Sequence, residues 1–310
     1  MIGSAPPAHF ALEPEANGES PFHRSGRTWG YLRRSPTFWI GAFLIAGVAM
    51  AAIFAPLLAP HDPTVQFDDG LTAIGAPLNH SSKFPLGTDF EGRDILSRLL
   101  FGARLSLTIT VAGNGLAVAL GVALGALAGW RQGWLGNVIM RFTDVMLSFP
   151  SLLLALALVG IRGPSLGVIV LVIAMVSWTG LCRITYGQVT ALRERPWIEA
   201  ARATGLADLR ILVLHIMPHL LAPIVVYATL GMALTVVFEG SLAYLGLSVP
   251  SPAASWGRMI RDGTDPNSLQ FYWLIVYPSL ALFVTVLGFN FVGDALRDAL
   301  DPRSAITRAR

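Results

Sequence analysis

Polar and apolar positions along this chain are sorted into long blocks. Uncharged, mainly apolar runs fill residues 38–58, 105–130, 145–161, 163–182, 220–238 and 271–292. At 1.5 Å per helical residue, about 20 residues cross the roughly 30 Å of a bilayer's hydrocarbon layer. The run 145–161 is short, and it spans only if Asp144 or Arg162 snorkels to the interface. A Gly/Pro turn, "GIRGPS", separates it from the next run. The pattern predicts an all-α, polytopic membrane protein with six transmembrane helices.

Composition agrees. Of 310 residues, 54 % are hydrophobic and 13 % charged, where a soluble domain carries about 25 % charged residues. Residues 1–37 lack an apolar core and begin rich in Pro, Glu and Ser. They read as an uncleaved, largely disordered tail rather than a signal peptide. Cys182 has no second cysteine to pair with, and its apolar surroundings suit a small buried residue. Lys83 is the one lysine among 22 cationic residues. It lies in "HSSKFP", without the glycines and the following Ser or Thr of a phosphate-binding loop. The chain therefore has no P-loop for ATP and does not read as an enzyme.

Charge sets a direction. Six spans leave both termini on one side. That side carries 15 of the 22 cations, among them Arg33, Arg34, Arg131, Arg141, Arg193, Arg195 and Arg297. The other seven are Lys83, Arg93, Arg98, Arg104, Arg162, Arg258 and Arg261. The positive-inside rule places both termini and the segment around residue 200 in the cytoplasm of a bacterial cell. Gly113, Ala117, Gly121, Gly125 and Gly129 recur at every fourth position, a stripe along which another helix can approach closely.

One amphipathic interlude breaks the apolar pattern, "RPWIEAARATGLADLRILVLHIMPHLLAP" at 195–223. Pro196 suits a helix's first turn and Gly205 the left-handed position beyond its end, giving a helix over 196–204. Glu199 and Arg202 would pair at i,i+3. A second helix would start near Ala207, with Asp208 in its first turn, and stop at Met217 before Pro218. Ile198, Ala201, Gly205, Leu209, Leu212 and Ile216 would form one apolar face. Helices this short need a support. Either the headgroup surface or a partner protein can supply it, and the small side chains of "EAARAT" favour a protein groove.

Glu239 is the best candidate for an acid within the membrane; it is either interfacial or a support for a gate. Asp144 and Arg183 are read at cytoplasmic span ends, as interfacial charges or as an ion pair closing an inner vestibule. Arg93 lies among Asp89, Glu91 and Asp94 and speaks against a metal there; Thr88 with Glu91 reads as a capping box. Residues 94–104 then form an amphipathic surface helix with Asp94 and Arg98 on its polar side. His215 and His219 have a ligand spacing, but Pro218 intervenes and no third ligand is near. No catalytic constellation assembles, and no basic aromatic patch points to nucleic acid.

"EAARATG" followed by "HIMP" resembles the signature of the membrane subunits of ABC importers, roughly E-A-A-x3-G-x9-I-x-L-P. Glu199, Ala200, Ala201, Gly205, Ile216 and Pro218 match it, with ten residues before Ile216 and Met217 in place of Leu. Residues 85–107, 144–158, 239–260 and 293–303 resemble the second permease of the dipeptide, oligopeptide and nickel branch. The resemblance implies the type I importer permease fold. It divides the chain into a tail (1–37), a first helix with an extracytoplasmic segment (38–104), a five-helix transmembrane domain with a coupling loop at 190–218 (105–295), and a cytoplasmic tail (296–310). Pro196, Trp197, Glu199, Ala200, Ala201, Arg202 and Gly205 would contact an ATPase, with Gly205, Asp208 and Pro218 as hinge and lever. Implied partners are a homologous second permease, two cytoplasmic ABC ATPases (or one fused), an extracytoplasmic solute-binding protein and the lipid bilayer. ATP and Mg would sit on the ATPases, and this chain would hold no cofactor. The competing expectation is a secondary transporter driven by an ion gradient, which would show an inverted repeat or broken helices with buried charges.

Overall fold

The structure is a computed structural model and describes residues 29–264 and 270–300. Residues 29–34 of the expected tail are helical and residues 36–37 open the first long helix; residues 1–28 and 301–310 lie outside the described part. Helices dominate, and the only β pairing among the described residues is two isolated bridges in the 59–94 segment.

Helix α1 (Pro36–Ile53) starts at Ser35, whose hydroxyl accepts from the Phe38 N–H, with Pro36 in the first turn. The 59–94 segment follows. Helix α2 (Ile95–Arg131) has 37 residues, about 55 Å at the standard rise. Asp94 caps it by accepting from the Ser97 N–H at 2.9 Å. The capping box at Thr88 is thus corrected. The Thr88 hydroxyl instead donates to Gly70 O and accepts from the Leu78 N–H, tying turns within the loop. The surface helix expected over 94–104 is likewise the first turns of α2, and Arg98 is buried rather than on a polar face. Helix α2 runs unbroken through residues 104 and 105.

The third apolar run is not one helix. Helix α3 (Gly133–Ser148) and helix α4 (Ser151–Arg162) meet at a 92° bend. Pro150 has no N–H to continue α3 and holds Phe149 extended, at φ −88° and ψ 137°. Among the described residues five helices are long and apolar enough to cross a membrane, six if this bent pair makes one crossing. Helix α5 (Leu166–Arg193) starts at Ser165, whose hydroxyl accepts from the Val168 N–H. Helix α6 (Pro196–Ala203) lies between α5 and the long α7 (Asp208–Tyr244). Helix α8 (Trp256–Gly263) and helix α9 (Trp273–Leu300) complete the described part.

The α2–α5 pair is the most extensive packing in the molecule. Its seam is the small-residue stripe. A Cβ on Gly113 would lie 2.9 Å from Ile173, on Gly121 2.7 Å from Trp178 O, and on Gly129 2.9 Å from Tyr186 O. Helix backbones can come this close only where side chains are absent. Cys182 is buried in the same seam, its sulfur 3.7 Å from the Thr143 hydroxyl. Helices α7, α9 and α1 pack in sequence on the other side of α2. Ala52, Ile95, Trp256, Met259 and Trp273 close one end of the bundle, beneath the 59–94 loop. Trp130, Val189, Ile198, Ile211 and Ile216 close the other, beneath α6.

Candidate functional site: the α6 loop

Helix α6 is stapled down by one side chain and left open elsewhere. Ile198 is fully buried among Ala126, Trp130, Val189, Ile211 and Ile216. Glu199, Ala200 and Arg202 are exposed, while Ala201 is half-buried against the same cluster. The helix ends as its residues dictate. The Gly205 N–H bonds to Arg202 O at 2.9 Å and the Leu206 N–H to Ala201 O at 3.4 Å, with Gly205 at φ +81°. This is the Schellman arrangement, and its customary apolar contact is made by Leu206 and Ala201 in the shared cluster.

Two details differ from the sequence reading. Among the described residues Glu199 and Arg202 do not pair. The Arg202 guanidinium lies 4.8 Å from the Trp130 ring centroid, with Arg193 5.8 Å from the same ring. A flat cation gains more from the ring face than from an exposed carboxylate. Trp197 stacks on the His219 ring at 5.3 Å and 24°. Trp130 and His219 thus belong to the site. Only the end-of-span position of Trp130 and the i,i+4 histidines hinted at them.

The lever is also corrected. Asp208 opens α7 as expected, but Pro218 does not end the helix. A π turn over Leu212–Ile216 precedes it, in which the Met217 N–H reaches back five residues to Leu212 O. The wider turn precedes Pro218, and the helix runs on through Pro218 and Pro223 without a break. The docking loop is therefore joined to a spanning helix without a break. The expected apolar face is partial: Ile198 and Ile216 are buried, while Leu209 is 70 % exposed and Gly205 is open.

Glu239 is buried completely. Its carboxylate accepts from Ser106 at 3.0 Å and from Ser248 and Ser255 at 3.2 Å each. It ties α2, α7 and the turn leading to α8. Asp144 and Arg183 form an ion pair between α3 and α5, both about half-exposed, with Arg141 3.9 Å from the same carboxylate. Asp144 is four residues from the end of α3, and α5 continues for ten residues past Arg183, about 15 Å. His219 and the Asp89 group are engaged in protein contacts, the latter through Arg93.

A long apolar bundle with a capped amphipathic helix between two spanning helices is the architecture of a permease subunit. The chain belongs to the family of binding-protein-dependent transport system inner membrane components, whose family model matches residues 121–306. A second model, the N-terminal TM domain of oligopeptide transport permease C, matches residues 24–77. It is thus a multi-pass inner-membrane permease subunit of an ABC importer.

Among its relatives is the dipeptide transport system permease protein DppC of Escherichia coli K12, 40 % identical over 89 % of this chain and 92 % of that protein. The di/tripeptide permease DppC of Pseudomonas aeruginosa UCBPP-PA14 is 39 % identical over 85 % and 87 %. The glutathione transport system permease protein GsiD of Escherichia coli O157:H7 is 37 % identical over 92 % and 91 %. These relatives are transport permeases, not enzymes. They give no support to a gradient-driven carrier, although the bent α3–α4 pair supplies the broken helix that such a carrier would show.

Proposed function

We propose that this chain forms half of the pathway by which a peptide or similar small solute enters the cell, and that α6 couples it to ATP hydrolysis. The peptide relatives, one of them a di/tripeptide permease, support the solute class. The arginine asymmetry supports an orientation with the α6 end and both termini in the cytoplasm. The single observation that carries the coupling role is the form of α6. One face is fixed by Ile198, and the other presents Glu199 and Ala200 to solvent. A helix held on one face and bare on the other is shaped to fit a partner's groove.

On this reading a related second permease supplies the other half of the pathway and a second coupling helix. Two cytoplasmic ABC ATPases, separate or fused, bind ATP and Mg and move the docked helices. A solute-binding protein delivers cargo to the 59–94 end. Pro196, Trp197, Glu199, Ala200, Ala201 and Arg202 make the ATPase contact, and Gly205, Asp208 and Pro218 lie on the path from it to α7.

The test is an Ala200→Arg substitution in the reconstituted complex. The cluster around Ile198 is untouched, so the chain should fold and insert normally. ATP-driven uptake should fall by about tenfold or more, the scale of disrupting a central interface position, and the ATPases should co-purify less. Unchanged uptake with a bulky cation at this position would refute the coupling role.

A further inference from the structure

Arginines at the loop end of the bundle are treated unequally. Arg93 meets Asp89 at 2.7 Å and Glu91 at 2.8 Å, and Arg98 lies 3.3 Å from Asp89 and donates to Pro63 O at 3.2 Å. Arg104, six residues further along α2, is exposed, and no carboxylate among the described residues lies within ion-pair distance. It stands where the uncharged run 105–130 begins, about 14 Å from the first residue of α2. A charge at that level persists only against water, a headgroup or an anion.

Arg104 is on the wall of a cavity of about 440 Å³, lined also by Asp62, Thr64, Phe101, Thr108 and Leu166. Cavities of this size hold small organic ligands. The Thr64 N–H and hydroxyl both donate to Asp62 and hold its carboxyl below its ordinary value. Asp62 is thus ionised, and it is not within ion-pair distance of Arg104. One cavity therefore presents a cation and an anion that do not neutralise each other. Phe101 adds an apolar ring to its lining and Thr108 a hydroxyl.

We infer that this cavity is a subsite for a zwitterionic solute, with Arg104 receiving its carboxylate and Asp62 facing its ammonium. The inference rests on the reading of the chain as an import permease. A guanidinium offers a planar pair of donors to a carboxylate. A phosphatidylethanolamine headgroup has the same two charges, so lipid is the competing occupant.

The test uses Thr108→Cys, exposed one turn beyond Arg104, in the full complex in phosphatidylcholine vesicles, with partner subunits free of exposed cysteines. A methanethiosulfonate carrying sulfonate should label it about tenfold faster, relative to a free thiol, than one carrying trimethylammonium. Arg104→Gln should abolish that bias and Arg104→Lys restore it. The dipeptide Ala-Ala should slow labelling, and its C-terminal amide should not. A bias that is absent, or that survives Arg104→Gln, overturns the inference, as does equal protection by the amide. Labelling open in detergent but blocked in vesicles would assign the cavity to lipid and also overturn it. The bias and its protection, seen together with no ATP-driven uptake of Ala-Ala, would sustain the subsite and sink the peptide-import reading.

Discussion

The two ends of this bundle are built by opposite rules. At the loop end, charged side chains are buried against opposite charges or hydroxyls: Arg98 is 1 % exposed and Asp89 5 %, and Glu239 lies completely buried beneath three serines. In α6 itself Ile198 is the one buried residue, and Glu199, Ala200 and Arg202 face outwards. The buried charges of the loop end are countered within the chain, while Arg104 and Asp62 line an open cavity beside them. The α6 end is fixed in place yet presents an unfinished surface, as a part that must meet another protein does. Stability should therefore be sensitive at the first end and function at the second.

The largest effect is expected at Asp89. Its carboxylate serves Arg93 and Arg98 and also accepts from the Arg93 N–H. Asp89→Ala would leave two buried guanidiniums short of a counter-charge, a loss of about 3–5 kcal/mol where one partner of a buried pair is removed. Thermal unfolding of the purified subunit in detergent should show a markedly lower midpoint. An unshifted midpoint would mean that the loop end is not the rigid one.

Next is the α2–α5 seam. Gly121→Val places carbon 2.7 Å from Trp178 O and 3.1 Å from Leu181. Backbone cannot yield as a side-chain tip can, so overpacking should cost about 1–3 kcal/mol. Gly115, on the same helix with no atom within 4 Å of an added Cβ, is the control. Gly115→Val should be near neutral by the same melting assay.

The seam was legible in the sequence because small residues every fourth position have one use in a membrane. The α6 helix and its left-handed Gly205 were legible for a similar reason: proline and glycine have few alternatives at helix ends. What was not legible depended on partners far apart in the chain. The three serines around Glu239 come from residues 106, 248 and 255, and no local pattern gathers them. Pro218 misled because the helix runs on through it after a π turn. Pro150 was passed over because hydropathy alone does not register a missing N–H. Arg202 was matched to the nearest acid in sequence, when the nearest partner in space was the Trp130 ring.

Gly205 sharpens the comparison at the α6 end. Its φ of +81° strains any side chain, yet an added Cβ meets nothing within 4 Å. Gly205→Ala should therefore cost only the backbone term, about 1 kcal/mol. Because the strain falls between the docking helix and α7, uptake per ATP hydrolysed should drop while ATPase attachment is kept. Loss of attachment instead would show that Gly205 belongs to the contact surface rather than to the link behind it.

The smallest effect on stability should come from Asp144 and Arg183, and it divides two roles for the pair. Both side chains are about half-exposed, and exposed pairs contribute about 0–1 kcal/mol. Asp144→Asn should leave the melting midpoint within error. The pair nonetheless joins α3, which ends at the 92° bend, to α5, which leads directly into α6. A contact between an element that bends and one that receives the coupling motion is placed to bias an open against a closed arrangement, and a bias of 1 kcal/mol changes that ratio about fivefold. Basal ATP hydrolysis by the assembled complex should then rise in Asp144→Asn and fall back in the charge-swapped Asp144→Arg, Arg183→Asp double variant. If both variants hydrolyse ATP at the parent rate, the pair is an interfacial ornament of the bundle, and no part of its gate.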